Sequence, residues 1–346
     1  MPIQGIPSPG TGLRLHLNEN TGGCSPRVLE VIQRLAATDI SAYPDYTAAV
    51  HAAARYFDVD PDWLLLVNGL DEGILMATIG HIARMRAFDA EVIIPVPAFD
   101  PYVQSTASVG AAAVRVEPGV DFAFPTAGVL KAITTRTRLI HMNTPSNPTG
   151  RLIPHDDIAA VAEAAPHAVA LVDEAYIEFA GETFLPRLGM HQNVLVGRTF
   201  SKAYGLAGMR IGCLLGHPDA LGPVRASTPP LTVNLLAAAA LVAALEDPDF
   251  LPAYAAQVTR SRELLYDACR RLGLPFWESA ANFVLVRVGD PVGAFVETMA
   301  RHGVHVRDRS HDPYTPGCVR ITAGIVEHTE RAVEALERSV AARQKA

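Results

Sequence analysis

Between residues 63 and 215, short runs of aliphatic and β-branched residues alternate with amphipathic or Ala-rich stretches. Trp63–Val67, Glu91–Pro95, Ala112–Val116, Arg138–Asn143, Ala168–Asp173, Asn193–Thr199 and Arg210–Leu215 read as strands. The segments Asp71–Arg84, Thr126–Ala132 and His155–Ala165 between them carry helical patterns. This alternation predicts an α/β fold built on a mostly parallel seven-stranded sheet with helices on both faces. Ligands of such sheets lie beyond the carboxyl ends of the strands. Asn143, Asp173 and Thr199 each fall at such an end.

The texture changes near residue 245. A long helical pattern, Phe250–Leu272, follows the Asp247-Pro248 break. Strands Asn282–Val288, Val304–Arg307 and Cys318–Thr322 then mix with helices Pro291–Arg301 and Val326–Ala342. The predicted organisation is an N-terminal arm and helix (residues 1–36) packing with the small domain. A large domain covers 37–245 and a small α+β domain 246–346. The first helix, Ser25–Ala37, opens on an N-cap Ser and a Pro in its first turn.

Composition narrows the function. The 346 residues are 49% hydrophobic and 19% charged with a net charge of −7, which argues against nucleic acid or an anionic membrane as partner. No apolar run reaches bilayer length; Leu235–Leu245 reads as a buried helix. Met1 to Gly12 has no apolar signal core, so the chain is expected in the cytosol. Cys24, Cys213, Cys269 and Cys318 show no paired spacing and read as free thiols. His302 and His305 lack a supporting ligand and read as surface residues, so no metal site is expected.

Four clusters occur in one order: Asn143-Thr-Pro-Ser-Asn147-Pro-Thr-Gly150, Leu171-Val-Asp173-Glu-Ala-Tyr176, Thr199-Phe-Ser201-Lys202 and Gly208-Met-Arg210. Together they supply what pyridoxal 5'-phosphate (PLP) requires of a protein. Lys202, one of three lysines in the chain, would take the aldehyde; neighbouring cations and burial lower the pKa of such an amine. Asp173, at a buried strand end, would pair with the pyridine nitrogen, which resolves the cost of its burial. Asn147 and Tyr176 would reach the ring hydroxyl, and Phe99 would stack on the ring. For the phosphate, Gly69 precedes a helix N-terminus, a natural anion site, which Thr199, Ser201 and Arg210 would close. An apolar run ending in Asp-Glu also suits a P-loop ATPase, but the chain contains no Gly-Lys pair. The Rossmann glycine fingerprint is absent as well.

With these motifs in this order, the chain resembles the fold-type I PLP-dependent aminotransferases, and most closely the histidinol-phosphate aminotransferase family. The resemblance runs from Leu17-Asn18-Glu19-Asn20 to about Glu337. Val306-Arg307-Asp308 and Arg320 within Gly317-Cys-Val-Arg320-Ile-Thr322 are its most specific part. It implies Lys202 and Asp173 in the roles given above, with Tyr176 beside them at the reacting centre. Backbone of Gly69, Leu70 and Asp71 would meet the phosphate. Tyr43 of Tyr43-Pro44 would reach the other subunit's site in a homodimer with shared active sites. Arg307 and Arg320 would anchor the substrate's acidic end, with Asn20 and Gly22 on the substrate side. Gly22 stands where the family carries Tyr, which removes a phenol and opens space.

The activity so implied is a ping-pong transamination between an amino donor and 2-oxoglutarate, with histidinol phosphate as the leading donor. Aromatic or other amino acids, or decarboxylation of threonine phosphate, are competing readings. A non-catalytic PLP-binding module is the alternative of a different class, and no DNA-binding extension accompanies it here.

Overall fold

The computed structural model describes residues 11–82 and 89–344. The chain enters through a short strand, β1 (Leu13–Arg14), followed by helices α1 (Pro26–Gln33), α2 (Ala37–Ser41) and α3 (Thr47–Phe57). The large unit then runs β2 (Leu64–Val67), α4 (Leu70–Ile82), β3 (Glu91–Pro95), α5 (Asp100–Ser108), β4 (Ala112–Val116), α6 (Thr126–Ala132), β5 (Thr137–Asn143), α7 (His155–Ala164), β6 (Val169–Asp173), β7 (Val194–Thr199), β8 (Gly212–Gly216), α8 (Pro218–Ser227) and α9 (Leu235–Leu245). The predicted end of the first of these helices, at Arg84, lies outside the described residues.

The seven strands form one sheet in the order β2-β8-β7-β6-β5-β3-β4. Neighbours from β7 to β4 are parallel, whereas β8 runs antiparallel to both β7 and β2. Every residue of β6, β7 and β8 is buried. Strands covered on both faces have no solvated side to mark with polar residues, so they appear as unbroken apolar runs. The carboxyl ends of β5, β6 and β7 lie side by side, with Asn143 opposite Asp173 in the register.

A second unit follows: α10 (Phe250–Leu272), β9 (Phe276–Trp277), β10 (Phe283–Arg287), α11 (Val292–Arg301), β11 (Val304–His305), β12 (Arg307–Asp308), β13 (Cys318–Thr322) and α12 (Val326–Gln344). Its antiparallel sheet has the order β12-β13-β10-β9. The expected strand Val304–Arg307 is divided. β11 pairs with β1 of the arm, and β12 pairs with β13.

The expectation that the first helix packs with the small domain needs correction. The arm joins that unit through β1 and through Leu15, Asn18 and Thr21, which bond Thr322, Asn282 and Ile325, whereas α1 packs on α9. The sequence of α9, LLAAAALVAAL, is apolar all round and offers a second face. Ser25 Oγ also bonds the Asp247 carboxylate, and Arg27 donates to the Glu246 carbonyl at 2.6 Å, which ties the helix to the end of α9.

Among the described residues no helix is long and apolar enough to cross a membrane.

Candidate active site

A cavity of about 590 Å³ opens at the carboxyl ends of the parallel strands, beside the small unit. Of the residues singled out in the sequence, Leu70, Asp71, Phe99, Asn147, Asp173, Tyr176, Thr199, Ser201, Lys202, Arg210, Arg307 and Arg320 line it. They arrive from the carboxyl ends of β5, β6 and β7, the turn before β8, the first turn of α4, the start of α5 and the paired strands β12 and β13.

Lys202 follows β7 in a tight turn, and its Nζ donates to the Leu17 carbonyl at 3.0 Å. Burial lowers its pKa to about 8, with the Arg320 guanidinium adding to the shift. Asp173, at the end of β6, is buried, and burial pushes its pKa up to about 6. Two donors offset that cost: the Tyr102 hydroxyl bonds Oδ2 at 2.5 Å, and the Ala175 amide bonds Oδ1 at 2.9 Å. Tyr176 Oη accepts from Asn18 Nδ2 at 3.0 Å, so its own proton remains to be donated. Asn147 Oδ1 accepts from Arg320 Nη1 at 2.5 Å, which leaves the Asn147 amide Nδ2 as a donor.

At the other end of the cavity, α4 begins directly after Gly69. The φ of Gly69 is 78°, and a Cβ there would lie 2.6 Å from Arg210 Nη2. A side chain there would strain the left-handed backbone and push the Arg210 guanidinium aside. Arg210 does not belong to β8 as the sequence suggests. It adopts φ 54°, which turns its guanidinium back to Asp71 Oδ2 at 3.0 Å. Thr199 is buried and accepts from the Ser201 amide at 3.2 Å.

Not every candidate reaches the cavity. Asn20 is occupied elsewhere: its Nδ2 bonds the Ala203 carbonyl and its Oδ1 accepts from the Gly22 amide. Gly22 faces Ile325 and Tyr254, so the structure brings neither Asn20 nor Gly22 into the lining. Tyr43 is 86% exposed and lies away from this chain's own cavity.

Four neighbours were not read from the sequence. Tyr102 sits one helical turn after Phe99, a spacing that places both on one face, and their rings meet edge to face at 5.7 Å. His141 stacks on Tyr102 at 4.3 Å and is fully buried. Asn18, not Asn20, is the residue of the Leu17–Asn20 motif that touches Tyr176. Arg309 also lines the cavity, two residues beyond Arg307.

The structure thus presents a weakly basic, half-buried lysine, a buried carboxylate held by two donors, and a Gly-Arg helix end. Two phenols or amides have donors to spare between them. These features fit PLP group by group, and the cavity's size suits a cofactor plus a small substrate. Fold and site define a PLP-dependent transferase of fold type I. The chain belongs to the family of class I and II aminotransferases, whose model matches residues 11–336. Histidinol-phosphate aminotransferase 2 of Ralstonia nicotianae is 36% identical over 96% of this chain and 90% of that protein. An aromatic amino acid aminotransferase of Mycobacterium bovis is 33% identical over 95% and 92% respectively. The crystal structure of histidinol-phosphate aminotransferase from Sinorhizobium meliloti with pyridoxal-5'-phosphate superposes with a TM-score of 0.86. It shares 28% identity and covers 96% of this chain and 91% of that one.

Two expectations follow from this geometry. Tyr102→Phe removes a donor to a buried carboxylate, an interaction of about 1.5–3 kcal/mol. Its removal raises the Asp173 pKa further. PLP should bind the variant apoenzyme roughly tenfold to hundredfold more weakly at pH 7, read by absorbance titration. The second concerns pH. Lys202 must be neutral to attack an aldehyde, and Asp173 must be ionised to attract the pyridinium. Neutral Lys202 accumulates as pH rises toward about 8, and ionised Asp173 as it rises past about 6. Cofactor uptake by the apoenzyme should therefore accelerate between pH 6 and 8, by about tenfold per unit, and level off above 8. A rate that falls across this range contradicts both assignments.

Proposed function

We propose that this aminotransferase takes histidinol phosphate as its amino donor and 2-oxoglutarate as acceptor. The observation that carries the reading is the register of β12 and β13, in which Arg307 lies directly opposite Arg320. Like charges facing each other across strands are unfavourable, and an anion between them relieves the repulsion. Neither guanidinium is ion-paired to a carboxylate among the described residues. The curated relatives named for histidinol phosphate support the same donor. The aromatic aminotransferase relative supports the second reading, a donor anchored by its carboxylate.

PLP supplies the electron sink that lets a proton leave the carbon bearing the amino group. Asp173 would hold the pyridine nitrogen protonated. Asn147 and Tyr176 would donate to the ring hydroxyl, Phe99 would stack on the ring, and Gly69, Leu70, Asp71, Thr199, Ser201 and Arg210 would hold the phosphate. Lys202 would serve as the base that takes the proton from the substrate carbon and then as the acid that returns it. The large cation-lined cavity orients the donor so that this carbon lies within reach of Nζ. Ping-pong kinetics follow, because one amino group is carried in two separate steps.

The exposed Tyr43 supports a homodimer in which each Tyr43 reaches the partner's phosphate site. The boundaries 37–245 and 246–346 are the domains proposed to enclose each cavity, and the cytosol is the proposed compartment.

A half-reaction assay tests the donor. The visible absorbance of the bound cofactor is followed after adding histidinol phosphate, phenylalanine, tyrosine or histidine without any acceptor. Rapid bleaching by histidinol phosphate alone is expected. Bleaching by the free amino acids, with none by histidinol phosphate, contradicts the assignment.

A further inference from the structure

We infer that Arg309 is the third arm of the anion cup and the residue that makes it prefer a phosphate monoester to a carboxylate. The inference rests on the reading that the donor's acidic end lies between Arg307 and Arg320.

Arg309 is a buried cation, 4% exposed, on the cavity wall. Its amide continues the β12 ladder by donating to the Cys318 carbonyl at 3.0 Å. Residues two apart in an extended strand share a face, so Arg309 stands on the side of Arg307. The side chain is only loosely neutralised. Asp312 Oδ2 accepts from Nη2 at 3.3 Å, and the half-exposed Asp100 is 4.0 Å from Nη1. Its Nε is buried without a hydrogen-bond partner among the described residues, as is the Nε of Arg320. Arg309 lies close enough to act on Arg320, whose pKa is lowered to about 10, chiefly by burial, with Arg309 and Arg307 both contributing.

Stoichiometry separates the two ligand chemistries. A carboxylate has one charge and two oxygens, which two guanidinium forks satisfy. A phosphate monoester carries close to two charges and three terminal oxygens. Only the larger group has an oxygen and a charge left for a third guanidinium, added to what Asp312 and Asp100 already supply to Arg309. Arg309 therefore contributes to phosphate binding and little to carboxylate binding.

The test uses PLP-loaded enzyme, wild type against Arg309→Gln and Arg309→Lys. Inorganic phosphate and acetate serve as competing anions, and histidinol phosphate and phenylalanine as donors. Arg309→Gln should weaken phosphate inhibition and lower kcat/KM for histidinol phosphate by roughly tenfold to hundredfold. Acetate inhibition and phenylalanine turnover should change by less than about threefold, and Arg309→Lys should recover part of the loss. Equal losses for phosphate and acetate would assign Arg309 a structural role and overturn the inference, as would no change for either. If wild type fails to use histidinol phosphate, the donor reading falls. The contrast between phosphate and acetate inhibition still decides the role of Arg309.

Discussion

Lys202→Ala should lower turnover by at least about 10⁴-fold while leaving the protein folded. Two functions disappear with the one side chain, the amine that takes the aldehyde and the base that moves the proton. General base catalysis alone is worth about 10²–10⁴-fold, and loss of the nucleophile adds to that. The fold has little reason to suffer. Among the described residues Nζ donates a hydrogen bond only to the Leu17 carbonyl, and removing a desolvated, pKa-lowered amine also removes its desolvation cost. Lost turnover in a folded protein that holds the cofactor only through its non-covalent contacts is therefore expected, measured by single-turnover assay and thermal melting. A variant that turns over within tenfold of wild type would exclude Lys202 from the reaction.

The largest loss of stability should come from Arg198→Met, a residue with no contact to the cavity. Arg198 lies on β7 under the site, 5% exposed, and bonds Glu174 at 3.1 Å and Glu178 at 2.6 Å. Glu174 also accepts from the Thr183 hydroxyl and the Phe184 amide at 2.6 and 2.7 Å, and the guanidinium covers the Phe57 ring at 4.9 Å. Removing the cation leaves two buried carboxylates without their partner. Breaking a buried pair in this way costs about 3–5 kcal/mol. Urea unfolding of the variant should show that loss. The triple variant Arg198→Met, Glu174→Gln, Glu178→Gln should recover most of it, because no uncompensated charge remains. A loss below about 1 kcal/mol for the single variant would contradict this account of the network. Since Glu174 adjoins Asp173, weakened cofactor binding should accompany the loss.

Strands β6, β7 and β8 are legible because a strand buried on both faces has one dominant sequence signal, an unbroken apolar run. Helices were harder where Pro intervened. No helix is assigned after Phe99 from the sequence, yet Asp100-Pro101 opens α5, since Pro is tolerated in a first helical turn. That helix carries Tyr102 to Asp173, so missing it also concealed the second donor to the carboxylate. Cofactor residues sit at strand ends within recognisable clusters and could be named individually. At the substrate end the family resemblance names Arg307 and Arg320, but nothing in the sequence singles out Arg309. Only the pairing of Arg307 with Arg320 and the burial of Arg309 reveal them as one inward-facing group. Asn20 and Asn18 flank one residue in the same motif, and only tertiary packing decides which of them reaches Tyr176. Arg210 was placed on a strand because its neighbours are apolar; its left-handed backbone became apparent only beside Gly69.

The central claim, that PLP is held through Lys202, is open to one direct measurement. The holoenzyme is reduced with borohydride, digested, and its peptides are mapped by mass spectrometry. The chain contains only three lysines, Lys131, Lys202 and Lys345, so the result is unambiguous. The account predicts the cofactor on the peptide carrying Lys202 and on neither of the other two. A label on Lys131 or Lys345, or none on any lysine of a protein with full cofactor absorbance, would contradict it.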